Sequence, residues 1–179
     1  MQIRPLRVDD HPAAIELLVQ TFGPFFEDYA HPLLGEQVFV HQHGRWEQDY
    51  RDEVPTLHNP SAGRHACAAT VPDGTLSGLV SWRFDPTPRH GQIYLLAVSP
   101  RYRRQGIGRK LCEHAIAHMR AGDVEVVQIG TGGDTFHAPA RAGDTPCTKH
   151  LGLCTCRSPS TWVPPEVVSP RPLPRPGAR

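Results

Sequence analysis

The chain has 179 residues, a length that suits one domain with a core of ordinary size. Hydrophobic residues make up 39% and charged residues 21%, which excludes a wholly disordered chain, and a formal net charge of +1 gives no reason to expect nucleic acid or a membrane surface as partner. No apolar run is long enough to cross a bilayer and the start lacks a secretion signal, so we expect a cytoplasmic protein.

The first 60 residues predict a strand, a helix and a mixed region. Residues 3–8 form a strand candidate, and Asp9 and Asp10 then offer a cap for a helix of about 12 residues with apolar side chains at helical spacing. Residues 23–60 mix prolines with aromatic side chains. We expect this region to form helical pieces and loops that shape a pocket.

The middle of the chain predicts antiparallel strands. Residues 64–71 and 76–84 are strand candidates, and the turn at residues 72–75 joins them into a hairpin. Residues 91–98 predict a further strand that is apolar on both faces, as is typical of a central strand.

A crossover unit follows the hairpin. A helix begins at Gly106 and reaches about Arg120, Gly122 ends it, and residues 124–131 return as a strand. A strand, a helix and a second strand in this order imply a right-handed parallel unit. Together with the hairpin, they predict a mixed sheet.

The five cysteines do not suggest a disulfide framework, because their number is odd and their spacing uneven. Cys67 and Cys112 lie in apolar segments, and we expect both to be buried. The remaining three accompany a histidine near the end of the chain: Cys147, His150, Cys154 and Cys156. Their spacing is not that of a common zinc module, so we expect no metal site.

The most informative pattern lies in residues 96–110, where an apolar strand runs into a short basic loop and then a glycine-marked helix start. The first amides of a helix lack internal acceptors and the helix dipole is positive there, so a pyrophosphate can bind them. Gly106 and Gly108 remove side chains that would hold phosphate oxygens away, and Arg103 and Arg104 add positive charge.

Other interpretations of this pattern are weaker. A glycine-containing turn beside a solvated basic cluster would need no ligand. A Walker P-loop is excluded because the Gly-Lys-Ser/Thr ending is missing. A dinucleotide-binding loop would place its glycines directly after the strand, whereas five residues and a proline intervene here.

The run Arg-Arg-Gln-Gly-Ile-Gly at 103–108 resembles the acetyl-CoA signature of the GNAT superfamily of N-acetyltransferases, Q/R-x-x-G-x-G/A. The resemblance covers residues 1–141 and implies an α/β fold with a mixed, mostly antiparallel sheet flanked by helices. It implies acetyl-CoA as cosubstrate and a primary amine of a small molecule or peptide as acceptor. By the same resemblance, Leu96, Ala97 and Val98 would line the pantetheine arm, and Arg103, Arg104, Gln105, Gly106, Ile107, Gly108 and Arg109 would hold the diphosphate.

The implied reaction is direct attack of a neutral amine on the thioester, with a backbone amide near Val98 polarising the carbonyl. The sequence does not assign the base that keeps the amine neutral. Four side chains have a suitable type, although each also fits an ordinary surface or packing role: Glu27, Asp28, His90 and Tyr94. The catalytic residues therefore stay unassigned.

Residues 142–179 are rich in proline, arginine and cysteine, and we expect them to be disordered. The resemblance breaks down as they begin. His137 and Ala140 occupy the family's Asn and Ala positions, but Asp144 falls where many relatives have the Tyr that protonates the departing thiolate. A carboxyl group of ordinary pKa is a poor substitute.

A frameshift would explain this tail. Codons for residues 146–153 can be chosen so that an adjacent frame encodes Leu-Tyr-Glu-Ala-Leu-Gly-Phe, which resembles the family's continuation. We therefore suspect a frameshift between about residues 142 and 146, the alternative being a divergent tail. The final helix and strands of the fold would then be missing or altered, which exposes a strand edge and favours a homodimer. A CoA-binding or interaction protein with impaired or no catalysis is the alternative function.

Overall fold

The computed structural model of the protein describes residues 1–85 and 89–129. Five strands form one sheet in the order β1-β2-β3-β4-β5. The strands are β1 (Gln2–Pro5), β2 (Arg64–Thr70), β3 (Leu76–Asp85), β4 (His90–Val98) and β5 (Val126–Ile129). The α-helices are α1 (His11–Pro24), α2 (His31–Leu34), α3 (Glu36–His43), α4 (Trp46–Glu53) and α5 (Ile107–Ala121). A π-helical segment spans Phe25–Ala30, and 3₁₀ turns span Val8–Asp10, Val54–Thr56, Pro60–Ala62 and Pro100–Tyr102.

The sheet is mixed, as the sequence predicts. Strands β1 to β4 are successively antiparallel, whereas β4 and β5 are parallel and joined by α5. The order of a strand, a crossover helix and a parallel strand is therefore confirmed. The remainder of the predicted last strand, residues 130–131, lies outside the described residues, as does the whole tail from residue 142.

The start of the chain differs from the prediction, because β1 ends at Pro5 rather than at residue 8. The Asp10 carboxylate accepts hydrogen bonds from both terminal nitrogens of Arg4 (2.6 and 2.7 Å) and from the Arg7 amide (2.8 Å). These bonds turn the chain into α1, and the hydrogen bond from Arg4 lowers the pKa of Asp10. Asp10 precedes α1 as expected, but its side chain makes no capping hydrogen bond to that helix.

Helix α5 covers one face of the sheet. Leu111, Ala115 and Met119 are fully buried on its inner side and pack in one cluster with Val80 of β3 and Ile93 of β4. These residues recur at helical spacing on α5, so one stripe of the helix faces this cluster. The cluster fixes the height of the helix above β3 and β4.

Helix α1 covers the opposite face. Leu17 and Leu18 pack in a second cluster with Leu79 of β3 and Ala97 of β4. Since Ile93 faces α5 and Ala97 faces α1, strand β4 is apolar on both faces, which confirms the prediction of a central strand.

The segment between α1 and β2 is more helical than predicted. From Phe25 to Glu53 it forms the π-helical segment and α2, α3 and α4 in close succession. Aromatic packing holds these short helices together: the Phe26 and Trp46 rings stack with centroids 4.7 Å apart. An open cavity of about 450 Å³ lies among them, with Glu27 in its wall. The predicted pocket-forming role of this segment agrees with that cavity.

Cys67 and Cys112 are both buried, as predicted. Burial raises the pKa of the Cys67 thiol to about 11, so it carries no reactive thiolate at neutral pH. No cluster of potential metal ligands occurs among residues 1–85 and 89–129. The tail cysteines and His150 lie outside these ranges. No helix in the described part of the chain is long and apolar enough to cross a membrane.

Aromatic and histidine rings stack beside α5. The His65 ring of β2 lies 5.3 Å from the Phe84 ring and 5.6 Å from the Trp82 ring, nearly parallel to both. His118 of α5 packs against His65 at 4.5 Å, and its Nδ1 accepts a hydrogen bond from the Trp82 indole (3.4 Å). The stack ties the outer end of β2 and β3 to α5.

We expect acid to destabilise the protein through this stack. The His114 ring of α5 also packs edge-on against Trp82, with centroids 6.1 Å apart. Burial lowers the pKa of His65 and of His114, and His118 lowers both further. Their folded-state pKa values therefore lie below the unfolded value of about 6.5. Below that pH the unfolded chain binds more protons, so the free energy of unfolding falls as the pH decreases. Urea titrations between pH 7.5 and 5 should show this fall, and His65→Phe, which keeps an aromatic ring, should reduce its slope. An unchanged slope in that variant would contradict the assignment.

Candidate functional site

The loop between β4 and α5 leads into an exposed helix start. The chain leaves β4 at Val98, makes a 3₁₀ turn and enters α5 after Gly106. Arg104 and Gly106 both adopt left-handed backbone conformations, with φ of 64° and 76°. Gly106 is left-handed and Ile107 begins the right-handed α5, and such a pair turns its amides toward one side, as in an anion-binding nest. The side chain of Arg103 braces the loop, since its Nε donates to the Val98 carbonyl (3.2 Å).

The backbone conformation at position 106, and not the packing around it, requires glycine. A Cβ at this position would meet no heavy atom within 4 Å, so the space beside it is open. Its positive φ, however, disfavours any other residue. At Gly108 an added Cβ would lie 3.5 Å from Val98 Cγ2, which is an ordinary contact. Both glycines keep the N-terminus of α5 accessible.

A close approach to β3 fixes the position of this helix start. A Cβ at Gly78 would lie 2.9 Å from Leu111 Cδ1 and 3.2 Å from Ile107 Cγ2. Gly78 pairs with Val98, the last residue of β4. Glycine at this point therefore lets the first turns of α5 sit directly over the end of β4. The first intrahelical bond runs from the Lys110 amide to the Gly106 carbonyl (3.0 Å), so the preceding amides of the first turn have no acceptor inside the helix.

The electrostatics of the helix start favour an anion. The first turn of α5 contains no acidic residue, and Arg103, Arg104, Gln105 and Lys110 are exposed around it. Arg109 pairs with Glu113 one turn along the helix (2.8 Å) and also stays at the surface. The helix dipole adds to these charges.

The predicted binding residues lie together at one end of β4. Leu96 and Val98 are half-buried on the α5 side, whereas the side chains of Ala97 and Ile107 are buried at 1% and 5% exposure. Ala97 and Ile107 therefore offer a ligand only their backbone. Among the described residues, β5 pairs with β4 only from His90 to Ile93, so the later residues of β4 have no neighbouring strand on that side.

The sequence matches the family profile described as "Acetyltransferase (GNAT) family" over residues 17–141. The chain belongs to the GNAT acetyltransferase family. This confirms the family and the fold class that the motif at 103–108 predicts. None of the curated proteins matches the sequence significantly.

Solved GNAT structures share the fold at low identity. A Corynebacterium glutamicum protein, described as histone acetyltransferase HPA2 and related acetyltransferase, is 22% identical with a TM-score of 0.54, over 75% of this chain and 78% of that one. The ribosomal-protein-S18-alanine N-acetyltransferase of Escherichia coli is 18% identical with a TM-score of 0.56, over 84% and 76%. The PaiA N-acetyltransferase of Thermoplasma acidophilum, solved with coenzyme A, is 16% identical with a TM-score of 0.51, over 72% and 77%.

The four candidate bases of this GNAT chain lie in different surroundings. Glu27 accepts a hydrogen bond from the Trp46 indole (3.1 Å) in the wall of the helical cavity. Asp28 is exposed on the π-helical segment. His90 begins β4 and pairs with Val126 of β5. The structure thus does not bring these three together.

Tyr94, the fourth candidate, lies on β4 at a β-bulge. Leu95 and Ile93 oppose consecutive residues of β3, which leaves Tyr94 as the extra residue. Its hydroxyl donates to Glu53 Oε1 at the end of α4 (2.5 Å). Burial and this hydrogen bond raise the pKa of Tyr94 to about 12, so it is a neutral hydrogen-bond donor at physiological pH.

Glu53 was missed by the sequence analysis. It lies 41 residues from Tyr94 in the chain, and no local pattern links the two. Two arginines beside them were also missed: Arg64 and Arg83 face each other across β2 and β3. The sequence does contain a pattern that predicts this pair, because the predicted turn at residues 72–75 sets a strand register in which the two arginines oppose each other.

Proposed function

We propose that the chain is an N-acetyltransferase that uses acetyl-CoA and transfers the acetyl group to a primary amine of a small molecule or peptide. The main support for the proposal is the structure at the N-terminus of α5. There the loop, Gly106 and Gly108, and the exposed basic side chains around them lie next to the end of β4. The family supports acetyl-CoA as cosubstrate, since the related Thermoplasma structure contains coenzyme A. Residues 1–141 would form the acyl-CoA-binding domain.

The geometry supports a binding role for each part of this site. The outward amides of the first turn of α5 and the loop would bind the diphosphate, with Arg103 and Arg104 adding charge. The backbone of Leu96 to Val98, which lacks a neighbouring strand on one side within the described residues, would bind the pantetheine arm. Bound acetyl-CoA supplies the thioester, and alignment with the amine provides much of the rate acceleration.

Coenzyme A should stabilise the folded protein. At 100 times its Kd, a ligand that binds only the folded state adds about 2.7 kcal/mol. For a chain of this size, that corresponds to an increase in Tm of about 5–10 °C. Thermal unfolding with and without coenzyme A measures it, with adenosine as the control that lacks the diphosphate. An unchanged Tm at millimolar coenzyme A would contradict the proposed binding site.

Turnover separates the proposal from its alternative, a CoA-binding or interaction protein without catalysis. The family match ends at residue 141, just before the atypical tail, which favours this alternative as a second candidate. Thiol release from acetyl-CoA across a panel of primary amines should occur if the chain is an enzyme. Stabilisation by coenzyme A without thiol release would support the alternative. The DNA across codons 138–160 tests the suspected frameshift, because codons that do not encode the family motif in an adjacent frame would exclude it.

A further inference from the structure

A row of polar side chains crosses the sheet on its α1 face, at the end opposite the N-terminus of α5. Arg64 of β2 pairs with Arg83 of β3, which pairs with Gln92 of β4. Residues two apart on a strand share a face, so Arg64 lies on the same face as Ala66, whose side chain packs under α1. The row therefore begins just beyond the part of that face that apolar side chains of α1 cover.

The two arginines of this row place two positive charges side by side. Like charges directly opposite each other on neighbouring strands are destabilising. Among the side chains that the structure describes in residues 1–84 and 89–129, no carboxylate forms an ion pair with either arginine. Arg64 donates to the Thr56 hydroxyl (3.3 Å), and Arg83 donates from Nε and a terminal nitrogen to Gln92 Oε1 (3.0 and 2.8 Å). Both side chains are exposed, so an anion can reach them.

A carboxylate, that of Glu53, lies at the hydroxyl end of Tyr94. The Arg83 guanidinium lies 5.8 Å from the centre of the Tyr94 ring, and the hydroxyl of the same ring donates to Glu53. In the described part of the chain, Glu53 has no cationic partner. Tyr94 thus separates a positive group from a negative one and is itself 46% exposed. A surface with this charge order complements a small molecule that carries both an ammonium and a carboxylate group.

We propose that the acceptor is an amine that also bears a carboxylate, a free α-amino acid, whose carboxylate binds Arg83 and Arg64 and whose amino group approaches Glu53 and Tyr94. The inference rests on the proposed function, because it assigns the acceptor side of the same transferase site. Arginine suits this role, since its planar guanidinium binds a carboxylate through two parallel hydrogen bonds.

The position of Tyr94 agrees with this assignment. Tyr94 lies four positions before Val98 on β4, which corresponds to about 13 Å along the strand. The proposed diphosphate site lies at the Val98 end, so an extended pantetheine arm along β4 would bring its thioester toward the bulge. The bulge turns Tyr94 out of the regular pairing with β3. Donor and acceptor would then meet near the middle of β4.

Matched pairs of substrates test the proposal. Phenylalanine and phenethylamine, histidine and histamine, and lysine and cadaverine differ only in the carboxylate. With acetyl-CoA and the full chain, we expect kcat/KM from thiol release to be at least about tenfold higher for the favoured amino acid than for its decarboxylated partner, as a charged hydrogen bond allows. Calorimetry on protein saturated with coenzyme A should show the same preference in Kd.

Variants of the two arginines test which side chains bind the carboxylate. Arg83→Gln and Arg64→Gln should each lower kcat/KM, or binding, of the amino acid by about 10- to 100-fold and change the amine by less than about twofold. Glu53→Gln should weaken both members of a pair. Arg51→Gln is the matched control, because Arg51 is a surface arginine of α4 that pairs with Glu47 and should affect neither.

Three outcomes would overturn the proposal. The first is equal use or equal binding of amino acid and amine. The second is an equal loss for both in Arg83→Gln, which would indicate a structural role. The third is a preference for phosphoethanolamine, which would assign the arginines to a phosphate. If coenzyme A binds but no amine causes release of thiol from acetyl-CoA, the chain is not catalytic. Calorimetry alone then tests which acceptor binds. If coenzyme A does not stabilise the protein either, the proposed function itself fails.

Discussion

Replacing Gly108 with leucine should lower the affinity for coenzyme A by at least about 100-fold and leave the protein folded. The fold should tolerate the change, because a Cβ at this position makes only an ordinary 3.5 Å contact with Val98 Cγ2. The longer side chain would cover the outward amides of the first turn of α5. Loss of two charge-assisted hydrogen bonds, each worth about 1.5–3 kcal/mol, corresponds to this decrease in affinity. Calorimetry with coenzyme A measures it, and circular dichroism confirms the fold.

A second glycine with a positive φ provides the control for backbone strain. Gly106 precedes α5 with φ of 76°, and Gly35 precedes α3 with φ of 73°, and neither has a neighbouring atom that an added Cβ would meet within 4 Å. Alanine should therefore destabilise the protein at both positions, by about 1–2 kcal/mol at Gly106 and by more at Gly35, whose ψ of 158° lies in a region essentially restricted to glycine. Only Gly106→Ala should weaken coenzyme A. Equal affinities of these two variants, together with an unaffected Gly108→Leu, would place the diphosphate elsewhere.

The cofactor side of the site was predictable because it is local in sequence. The strand end, the basic loop and the helix start lie within residues 96–110, and a helix N-terminus has the same properties in any protein. The hairpin and the parallel crossover were predictable for a similar reason, since turn residues and apolar periodicity determine them. The sheet order and the parallel pairing of β4 with β5 agree with those patterns.

The acceptor side was not predictable, because three separate elements supply it. Glu53 ends α4, Arg83 lies on β3 and Tyr94 on β4. The contact between Tyr94 and Glu53 depends on a β-bulge and on the docking of α4, neither of which leaves a local pattern. Only the pairing of Arg64 with Arg83 follows from the predicted turn.

The helical segment before β2 shows why residue types alone underestimate structure. Prolines at positions 24 and 32 suggested interruptions, yet Pro32 lies in the first turn of α2, where its missing amide is harmless. The short helices are held by packing between distant rings, including Phe26 on Trp46 and Phe22 on Tyr50. Tertiary contacts therefore outweigh the local breaks.

Leu111→Ala should cause the largest loss of stability, about 2–5 kcal/mol in the free energy of unfolding. Leu111 is completely buried and lies between α5 and the sheet at Gly78. Truncation would leave a cavity at the point where the helix is closest to β3. Urea unfolding measures the loss, and Tm should fall by about 2–4 °C for each kcal/mol. Leu33→Ala is the control, because that leucine is 67% exposed and should change stability by less than about 0.5 kcal/mol.

A double-mutant cycle shows whether the gap at Gly78 determines where α5 lies. Gly78→Ala alone should cost about 1–3 kcal/mol, because its Cβ would lie 2.9 Å from Leu111 Cδ1. The double variant should be more stable than additivity predicts, by about 1 kcal/mol, since truncated Leu111 makes room for the added methyl group. Coenzyme A gives a second readout: Gly78→Ala should weaken its binding by displacing the helix start, and Leu111→Ala should partly restore it. Strict additivity in stability with unchanged affinity would mean that α5 is positioned by its other contacts, and that the close approach to β3 is incidental to the site.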